Sequence, residues 1–231
     1  MATQPDMPNR SGPALPRRKM KTSTKWTITL LLVAIIVAFR LVEQIGFDRK
    51  PGDRFIVKKI RDGDSVELLG GDRLRLLSID TPEEGELFFD EACQFLTELT
   101  LGKTAQIEFA GARRDKYGRL LGYMYIDSIF VNKEILENGL GYLYLFKDTE
   151  LDRPETKDLL MSQRAAMQKG IGLWSVERAQ EDYYIAAQGS FRFHRPGCRS
   201  VKGLQPGRYR TFNTREEALY EGLSPCRRCK P

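Results

Sequence analysis

Apolar and polar residues alternate along residues 55–127 in short runs that are typical of β-strands. The pattern predicts five strands, and Asp-Gly and Gly-Gly turn signals separate the first three of them. The predicted strands cover residues 55–60, 65–69, 74–79, 104–109 and 120–127. The first three strands are expected to form an antiparallel meander.

The spacing of apolar residues changes to a helical one after the third predicted strand. Ala92, Phe95, Leu96 and Leu99 follow the i, i+3, i+4, i+7 pattern of a helix, which Gly102 is expected to end. Further helices are predicted near 131–138 and 155–169, each ended by a glycine. Five strands with a helix after the third are typical of an OB-like barrel. The predicted fold is therefore α+β, an OB-fold-like five-stranded β-barrel with about three helices over residues 54–175.

The N-terminal part of the chain has a different pattern. Residues 26–39 form a run of 14 apolar or hydroxyl residues. Six basic residues precede it: Arg10, Arg17, Arg18, Lys19, Lys21 and Lys25. A basic flank before an apolar run predicts a hydrophobic helix that serves as an uncleaved signal anchor over residues 26–45, after a cytoplasmic region 1–25. The run is shorter than the about 20 residues of a full span. A cleaved signal peptide and a buried helix of a soluble domain are therefore the alternatives.

The orientation of this anchor predicts the location of the rest of the chain. Positive charge is retained on the cytoplasmic side, so the barrel is expected outside the cytoplasm, in the periplasm or at the cell surface. It would be secreted if the segment is cleaved.

The net charge of +6 is unevenly distributed. Residues 1–49 carry +5, residues 50–182 carry −6, and residues 190–231 carry +7. The predicted barrel is thus acidic, and overall charge is no argument for a nucleic-acid substrate. The chain has one histidine, His194, far from the barrel, which excludes histidine-based phosphodiesterase chemistry there.

Carboxylates and arginines on the predicted barrel form a possible phosphodiesterase site. Asp64 follows the turn Asp62-Gly-Asp, and Asp80 lies at the exit of the third strand. Adjacent strands can bring these two carboxylates together, where they repel each other unless a cation lies between them. Oxygen ligands select a hard cation such as Ca²⁺ or Mg²⁺. Glu83 follows shortly after and could polarise a water molecule.

Arg75 and Arg119 are the candidate phosphate ligands, since a guanidinium is always charged and matches the geometry of phosphate. Each motif alone has an ordinary structural interpretation. Asp-Gly-Asp is commonly a turn, Asp-Thr-Pro-Glu is commonly a helix start, and Arg119 beside Asp115 could be a surface ion pair. Their order and placement on one barrel favour the catalytic interpretation.

Residues 55–175 resemble the staphylococcal nuclease family almost end to end. The matching segments are Val57-Lys-Lys-Ile-Arg-Asp-Gly-Asp-Ser65, Arg75-Leu-Leu-Ser-Ile-Asp-Thr-Pro-Glu83, Asp115-Lys-Tyr-Gly-Arg119, Val131-Asn132, Asn138-Gly-Leu140 and Gly172-Leu-Trp174. The resemblance implies a Ca²⁺-dependent nuclease that hydrolyses DNA and RNA with little sequence preference and leaves 3′-phosphates. Serine at position 65, where threonine is commoner in the family, keeps the hydroxyl group.

The resemblance also implies a role for each site residue. Asp64, Asp80 and the backbone carbonyl of Thr81 would bind Ca²⁺. Glu83 would act as general base or orient the attacking water, and Arg75 and Arg119 would neutralise the phosphate. The tyrosines at 142 and 144 depart from the positions of the best-known member. Tyr144 is a candidate for substrate binding, and packing on the outside of the barrel is the alternative for both.

Residues 176–189 are predicted to be a linker, and residues 190–231 a small separate module. Its His194, Cys198, Cys226 and Cys229 have the residue types and spacing of a tetrahedral Zn²⁺ site. Segments such as Phe193-His-Arg-Pro-Gly-Cys198 and Pro225-Cys-Arg-Arg-Cys-Lys-Pro231 resemble the metal-binding module of Ada-type proteins, with histidine at the first ligand position. A disulfide outside the cytoplasm is the alternative. Cys93, on the first barrel helix, is interpreted as a buried structural cysteine.

The module is also rich in basic residues, which are candidate phosphate contacts or simply a solvated surface. They are Arg192, Arg195, Arg199, Lys202, Arg208 and Arg210. The predicted partners are DNA and/or RNA, and the membrane through the N-terminal helix. Two other functions remain open: a non-catalytic nucleic-acid-binding protein, and a component for DNA uptake or protein interaction.

Overall fold

The computed structural model describes residues 54–146 and 152–231, together with the isolated helical positions Leu31 and Val33. The two long ranges belong to one compact unit. Apart from those two positions, the predicted anchor over residues 26–45 lies outside the described residues. In the described part of the chain, no helix combines the length and apolar character that crossing a membrane requires.

A barrel is formed by the strands of the first half of this unit. In chain order they are β1 (Arg54–Asp62), β2 (Ser65–Leu68), β3 (Arg73–Leu76), β4 (Ile79–Asp80), β5 (Thr104–Glu108), β6 (Leu120–Ile126), β7 (Ile129–Phe130) and β8 (Tyr142–Leu143). The main sheet has the order β3-β2-β1-β5-β6-β7. A parallel pairing of β3 with β6 closes it, with Leu74 opposite Leu120 and Leu76 opposite Gly122. This confirms the predicted OB-like barrel.

Three helices cover the barrel, as predicted. They are α1 (Phe89–Thr100), α2 (Val131–Glu137) and α3 (Pro154–Lys169), and a 3₁₀ turn (Gly172–Trp174) follows them. Helix α1 buries Ala92, Leu96 and Thr100, which lie four residues apart on one face. The core beneath consists of the inward-facing residues of the strands, such as Val57 and Ile107.

The third predicted strand, residues 74–79, is interrupted in the structure. Strand β3 ends at Leu76, and Ser78 has a left-handed backbone with φ of 62°. The hydroxyl groups of Ser78 and Tyr123 lie 3.1 Å apart in a hydrogen bond. The break redirects the chain so that β4 pairs with β8, with Asp80 opposite Tyr142. Alternation of apolar residues continues across the break, which is why the sequence pattern predicts one strand.

Asn132 holds this break in place from helix α2. Its side chain is fully buried, accepts a hydrogen bond from the Met124 amide (3.0 Å) and donates one to the Leu77 carbonyl (2.8 Å). Both partners are backbone groups that would otherwise be buried without a partner. The side chain therefore links α2, β6 and the segment leading to β4.

The C-terminal lobe, residues 184–231, is built around a second small core. Its elements are β9 (Tyr184–Ala187), β10 (Arg192–Phe193), β11 (Tyr209–Phe212), α4 (Arg215–Tyr220) and β12 (Ser224–Pro225). Strand β9 lies within the segment predicted as a linker and pairs antiparallel with β11. The predicted boundary at residue 190 rested on composition, which carries no sign of this pairing.

The lobe packs directly against the barrel through buried polar groups. The fully buried side chain of Gln163 on α3 accepts from the Leu143 amide (2.7 Å) and donates to the Leu219 carbonyl (2.8 Å). Arg215, also buried, donates to the Tyr142 hydroxyl (3.0 Å) and to the Pro231 carbonyl (3.0 Å). The lobe core also contacts Tyr142, Met167 and Trp174. The lobe is thus a fixed part of the same folded unit.

Replacing Asn132 by leucine is expected to lower the free energy of unfolding by about 3 kcal/mol, because one buried amide and one buried carbonyl lose their partners. Urea unfolding followed by tryptophan fluorescence measures the change. The control is Asn213→Leu at an exposed position, expected to stay within about 0.5 kcal/mol of the unmodified chain. Equal effects of the two substitutions would contradict the role assigned to Asn132.

Candidate active site and metal centre

Arg75 lies at the centre of the site. Its side chain, 9% exposed, forms an ion pair with Asp64 through Nη1 and donates through Nη2 to Asp80 Oδ1 at 2.8 Å. Nη2 also donates to the Ile79 carbonyl at 3.1 Å. One guanidinium thus contacts both carboxylates that the sequence places on different turns. The structure brings Asp64, Asp80 and Arg75 together.

The position of Asp64 follows from the tight turn before it. Its amide donates to Asp62 Oδ1 (3.1 Å), and its carboxylate accepts from the Ser65 hydroxyl (3.0 Å) and the Thr81 amide (3.1 Å). Gly63 allows this approach, since a Cβ there would lie 2.7 Å from both Ala92 Cβ and Thr81 Oγ1. The turn and the segment after β4 therefore fit together only with glycine at position 63.

The other two predicted catalytic residues are at the edge of the site. The Glu83 side chain is 65% exposed, while its backbone amide donates to the Glu86 carboxylate. Arg119 donates through Nε to Asp115 Oδ2 at 2.8 Å, and the same carboxylate accepts the Tyr117 and Arg119 amides. Burial would raise the pKa of Asp115, but these hydrogen bonds and the Arg119 charge lower it. Arg119 is therefore held by a carboxylate that stays ionised.

Electrostatics show which charges converge on Arg75. Burial is the main cause that lowers its pKa, the carboxylates of Asp80 and Asp62 oppose this, and the positive charges of Arg227 and Arg119 add to it. Three guanidinium groups therefore act on the same small region. Guanidinium groups placed in this way are suited to a phosphoryl group, because they are always charged and match its geometry.

The residues in this region also fit a hard cation. Asp64 and Asp80 offer carboxylate oxygens, and Thr81, buried beside Asp64, offers a backbone carbonyl. The histidine and cysteine residues that could bind a metal form a separate cluster in the C-terminal lobe. The two carboxylates carry one more charge than the Arg75 guanidinium that contacts them, and with the carbonyl they form the oxygen-only donor set that Ca²⁺ prefers.

Arg227 and Lys230 reach this site from the C-terminal lobe, and sequence analysis missed both of them. Arg227 pairs with Asp80 through Nη2 and Nε, the latter at 3.2 Å, and its Nη1 lies 3.3 Å from Glu83 Oε1. Lys230 pairs with Glu86. A cavity of about 490 Å³ is lined both by these lobe residues and by the barrel carboxylates of Asp80, Glu83 and Glu86. The sequence signal is only that Arg227 lies between Cys226 and Cys229.

Tyr144 and Tyr142 lie at the boundary between barrel and lobe. The guanidinium carbon of Arg192 is 3.3 Å from the centre of the Tyr144 ring, and that of Arg227 is 5.5 Å from it. Tyr142 packs edge-on against Trp174 at 5.4 Å and accepts a hydrogen bond from Arg215. Tyr144 is therefore beside the site, whereas Tyr142 belongs to the packing between barrel and lobe.

The four predicted zinc ligands also come together. The ligand atoms of His194, Cys198, Cys226 and Cys229 all lie within 4.8 Å of one another. The Nδ1 atom of His194 is buried without a hydrogen-bond partner, as expected of a metal ligand. Burial and the nearby Arg192 lower the pKa of His194, which favours the neutral ring. The Arg195 amide donates to the Cys229 sulfur at 3.4 Å. The donors fit a tetrahedral site for a soft metal.

All four cysteines are described, and none is in a disulfide. Cys93 is half-buried on α1, and burial raises its pKa to about 11, so its thiol stays protonated and unreactive at neutral pH. The six predicted basic contacts are in different environments. Arg195 pairs with Glu181, Arg210 pairs with Glu221, and Arg192 covers Tyr144. Arg199, Lys202 and Arg208 are exposed. Arg192 is thus the member of this set that reaches the barrel site.

Comparison with known proteins agrees with this fold. Residues 73–176 match the family model described as staphylococcal nuclease homologue. That stretch contains Arg75, Asp80, Glu83 and Arg119, and it begins after Asp64.

Individual relatives extend the match. A micrococcal nuclease of Shigella flexneri is 29% identical over 139 residues, 55% of this chain and 76% of the relative. An uncharacterised endonuclease of Escherichia coli O157:H7 is 31% identical over 123 residues, 52% of this chain and 75% of the relative. A thermonuclease of Staphylococcus intermedius is 24% identical over 169 residues, 67% of this chain and 99% of the relative. The chain belongs to the staphylococcal nuclease family.

The contacts of Gly63 generate a stability prediction. Gly63→Ala is expected to lower the free energy of unfolding by about 1–3 kcal/mol, because the added methyl group overlaps Thr81 and Ala92. Chemical unfolding measures it. Gly197→Ala is the matched control, since a Cβ there meets nothing within 4 Å. An unchanged stability of Gly63→Ala would contradict the close packing of the Asp64 turn.

Proposed function

We propose that this protein is a Ca²⁺-dependent nuclease that hydrolyses phosphodiester bonds of DNA and/or RNA with little sequence specificity. The observation that carries the proposal is the buried Arg75 guanidinium between Asp64 and Asp80, with Glu83 and Arg119 at the edge of the same site. The names of the relatives, among them a micrococcal nuclease, a thermonuclease and an endonuclease, support the same class of reaction.

Each site residue has a role in the proposed reaction that follows from its chemistry. Asp64, Asp80 and the Thr81 carbonyl would hold Ca²⁺, which when bound supplies Lewis-acid stabilisation of a phosphoryl oxygen. The exposed carboxylate of Glu83 accepts a proton from water or orients the water for in-line attack on phosphorus. The guanidinium groups of Arg75 and Arg119 donate hydrogen bonds to the phosphoryl oxygens as negative charge builds up on them. Burial of Arg75 strengthens its part of this interaction.

For the location, we infer that the enzyme is anchored to the membrane with its catalytic domain outside the cytoplasm, in the periplasm or at the cell surface. The support is the apolar run at residues 26–39 with its basic flank. If this segment is removed by processing, the enzyme is secreted.

For the C-terminal lobe, we propose that His194, Cys198, Cys226 and Cys229 bind structural Zn²⁺. Support comes from the convergence of the four ligand atoms and the unpartnered His194 Nδ1. A lobe with so small a core gains stability from such an ion.

Catalysis is tested by cleavage of single-stranded DNA in Ca²⁺ and in chelator. Glu83→Gln and Arg119→Ala are each expected to lower turnover by about 10²–10³-fold, since each removes a group that acts on the transition state. The control is Glu84→Gln, an adjacent exposed carboxylate, expected to keep full activity. An inert wild type in Ca²⁺, or full activity in both variants, would show the mechanism to be wrong.

Zinc binding is tested by metal analysis of the purified full chain. About one zinc ion per chain is expected, and Cys226→Ser or Cys229→Ser should lose it together with thermal stability. Cys93→Ser is the control that should retain it, since Cys93 lies on α1. Metal-free protein with an oxidised cysteine pair, seen by mass spectrometry, would favour the disulfide instead.

A further inference from the structure

Arg227 is the one lobe side chain that contacts two of the predicted catalytic carboxylates within the described residues. It pairs with Asp80 and with Glu83, although its side chain is still 55% exposed. As a guanidinium, the group is always charged. A flexible, half-exposed cation at this position can turn toward a ligand without any movement of the backbone.

A second lobe arginine lies next to it. Arg192 stacks on Tyr144 at 3.3 Å, and the guanidinium of Arg227 is 5.5 Å from the same ring. The backbone amide of Tyr144 donates to the Ser78 carbonyl at 2.9 Å, which fixes the tyrosine to the break before β4. Two cations from the lobe therefore meet around one barrel aromatic residue at the edge of the catalytic site.

The lobe that carries these arginines is firmly attached. Gln163 and Arg215 make buried hydrogen bonds across the boundary, and Arg164 stacks on Tyr220 at 4.2 Å while donating to its carbonyl. Breaking this interface would leave buried polar groups without partners. A lobe that blocked the site and had to move away before substrate could enter would not be attached by such an interface. The arginines are better explained as a permanent wall of the substrate groove.

The charge of the site supports the same explanation. Asp64, Asp80 and Glu83 with Arg75 leave an excess of two negative charges, which a divalent cation would neutralise. When Asp80 binds this cation, the positive charge of Arg227 is no longer needed to balance Asp80 and can pair with another anion. A phosphodiester is the anion that the proposed reaction brings to this position. The acidic barrel thus obtains positive charge for its substrate from the lobe.

We propose that Arg227, supported by Arg192 on Tyr144, forms a phosphate-binding subsite beside the catalytic centre, with Arg227 as a substrate-positioning residue. The ligand is a backbone phosphate of the nucleic-acid strand being cleaved. The inference rests on the proposed nuclease function. Because Arg227 lies between Cys226 and Cys229, the metal site of the lobe holds the subsite in place, and loss of the metal weakens substrate binding.

The first test is steady-state cleavage of single-stranded DNA by the full chain in Ca²⁺. Arg227→Ala is expected to raise KM about tenfold with kcat changed less than about threefold, and Arg227→Lys is expected to lie between it and the wild type. Arg228→Ala is the matched control. It removes the same charge from the adjacent exposed position, which lines a different cavity with Cys198 and Arg199, and should keep the wild-type KM.

The second test measures binding without cleavage. Anisotropy of a labelled single strand in Ca²⁺ is compared for Glu83→Gln alone and combined with Arg227→Ala or Arg228→Ala. The Arg227 combination is expected to bind about tenfold more weakly, with a salt dependence shallower by about 0.7 in log–log slope, as for the loss of one phosphate contact. Cys229→Ser should weaken binding similarly and add nothing to Arg227→Ala.

The outcomes separate this inference from the nuclease proposal. If the wild type cleaves DNA and Arg227→Ala behaves as Arg228→Ala does, the subsite is wrong and the nuclease function stands. Faster cleavage by Arg227→Ala, or a lower Ca²⁺ requirement, would instead make Arg227 an inhibitory plug and overturn the inference. If the wild type does not cleave, the anisotropy series on the wild-type background still decides whether Arg227 binds a strand.

Discussion

The buried ion cluster of Arg75 with Asp64 and Asp80 is the interaction on which the rest of the site depends. A guanidinium that is 9% exposed loses most of its hydration, and only close, well-oriented carboxylates offset that cost. The surrounding backbone is shaped to supply them. Gly63 lets the Asp64 turn contact Thr81, and the break at Ser78 points β4 toward Asp64. The geometry that would hold a cation and a phosphate is therefore built into the barrel.

The C-terminal lobe changes how this barrel can be understood. The barrel segment is acidic, and its two candidate phosphate-binding arginines are engaged with carboxylates, Arg75 with Asp64 and Asp80 and Arg119 with Asp115. The lobe is basic and is fixed to α3 through Gln163, so its positive charge is presented at one particular place. Because these charges are fixed in place, they attract a polyanion toward one particular position beside the barrel.

Two donor sets of different chemistry coexist in this one folded unit. The barrel set consists of oxygen atoms from Asp64, Asp80 and Thr81, and the lobe set of the His194 nitrogen and three sulfur atoms. Hard cations favour the first set and soft cations the second, so the two sites do not compete for the same ion. Arg227 lies between Cys226 and Cys229 in the sequence and forms an ion pair with Asp80. A single side chain therefore connects the two donor sets.

Local patterns in the sequence determined the barrel, its three helices and the identity of the chemistry-bearing residues. Strand alternation, helical spacing and turn glycines are short-range signals, and the motifs around Asp64, Asp80 and Arg119 lie within single turns. The break at Ser78 was missed because it depends on Tyr123 and Asn132, distant partners whose contacts leave no local pattern.

Only the tertiary structure decided that the lobe lines the same cavity as the candidate catalytic carboxylates. Arg227 and Asp80 are 147 residues apart, and their contact depends on the docking of two cores through Gln163, Arg215 and Tyr142. Surface complementarity of this kind is distributed over many side chains and has no period or spacing along the chain. The sequence therefore identified the candidate catalytic residues, and the fold determined which cations stand beside them.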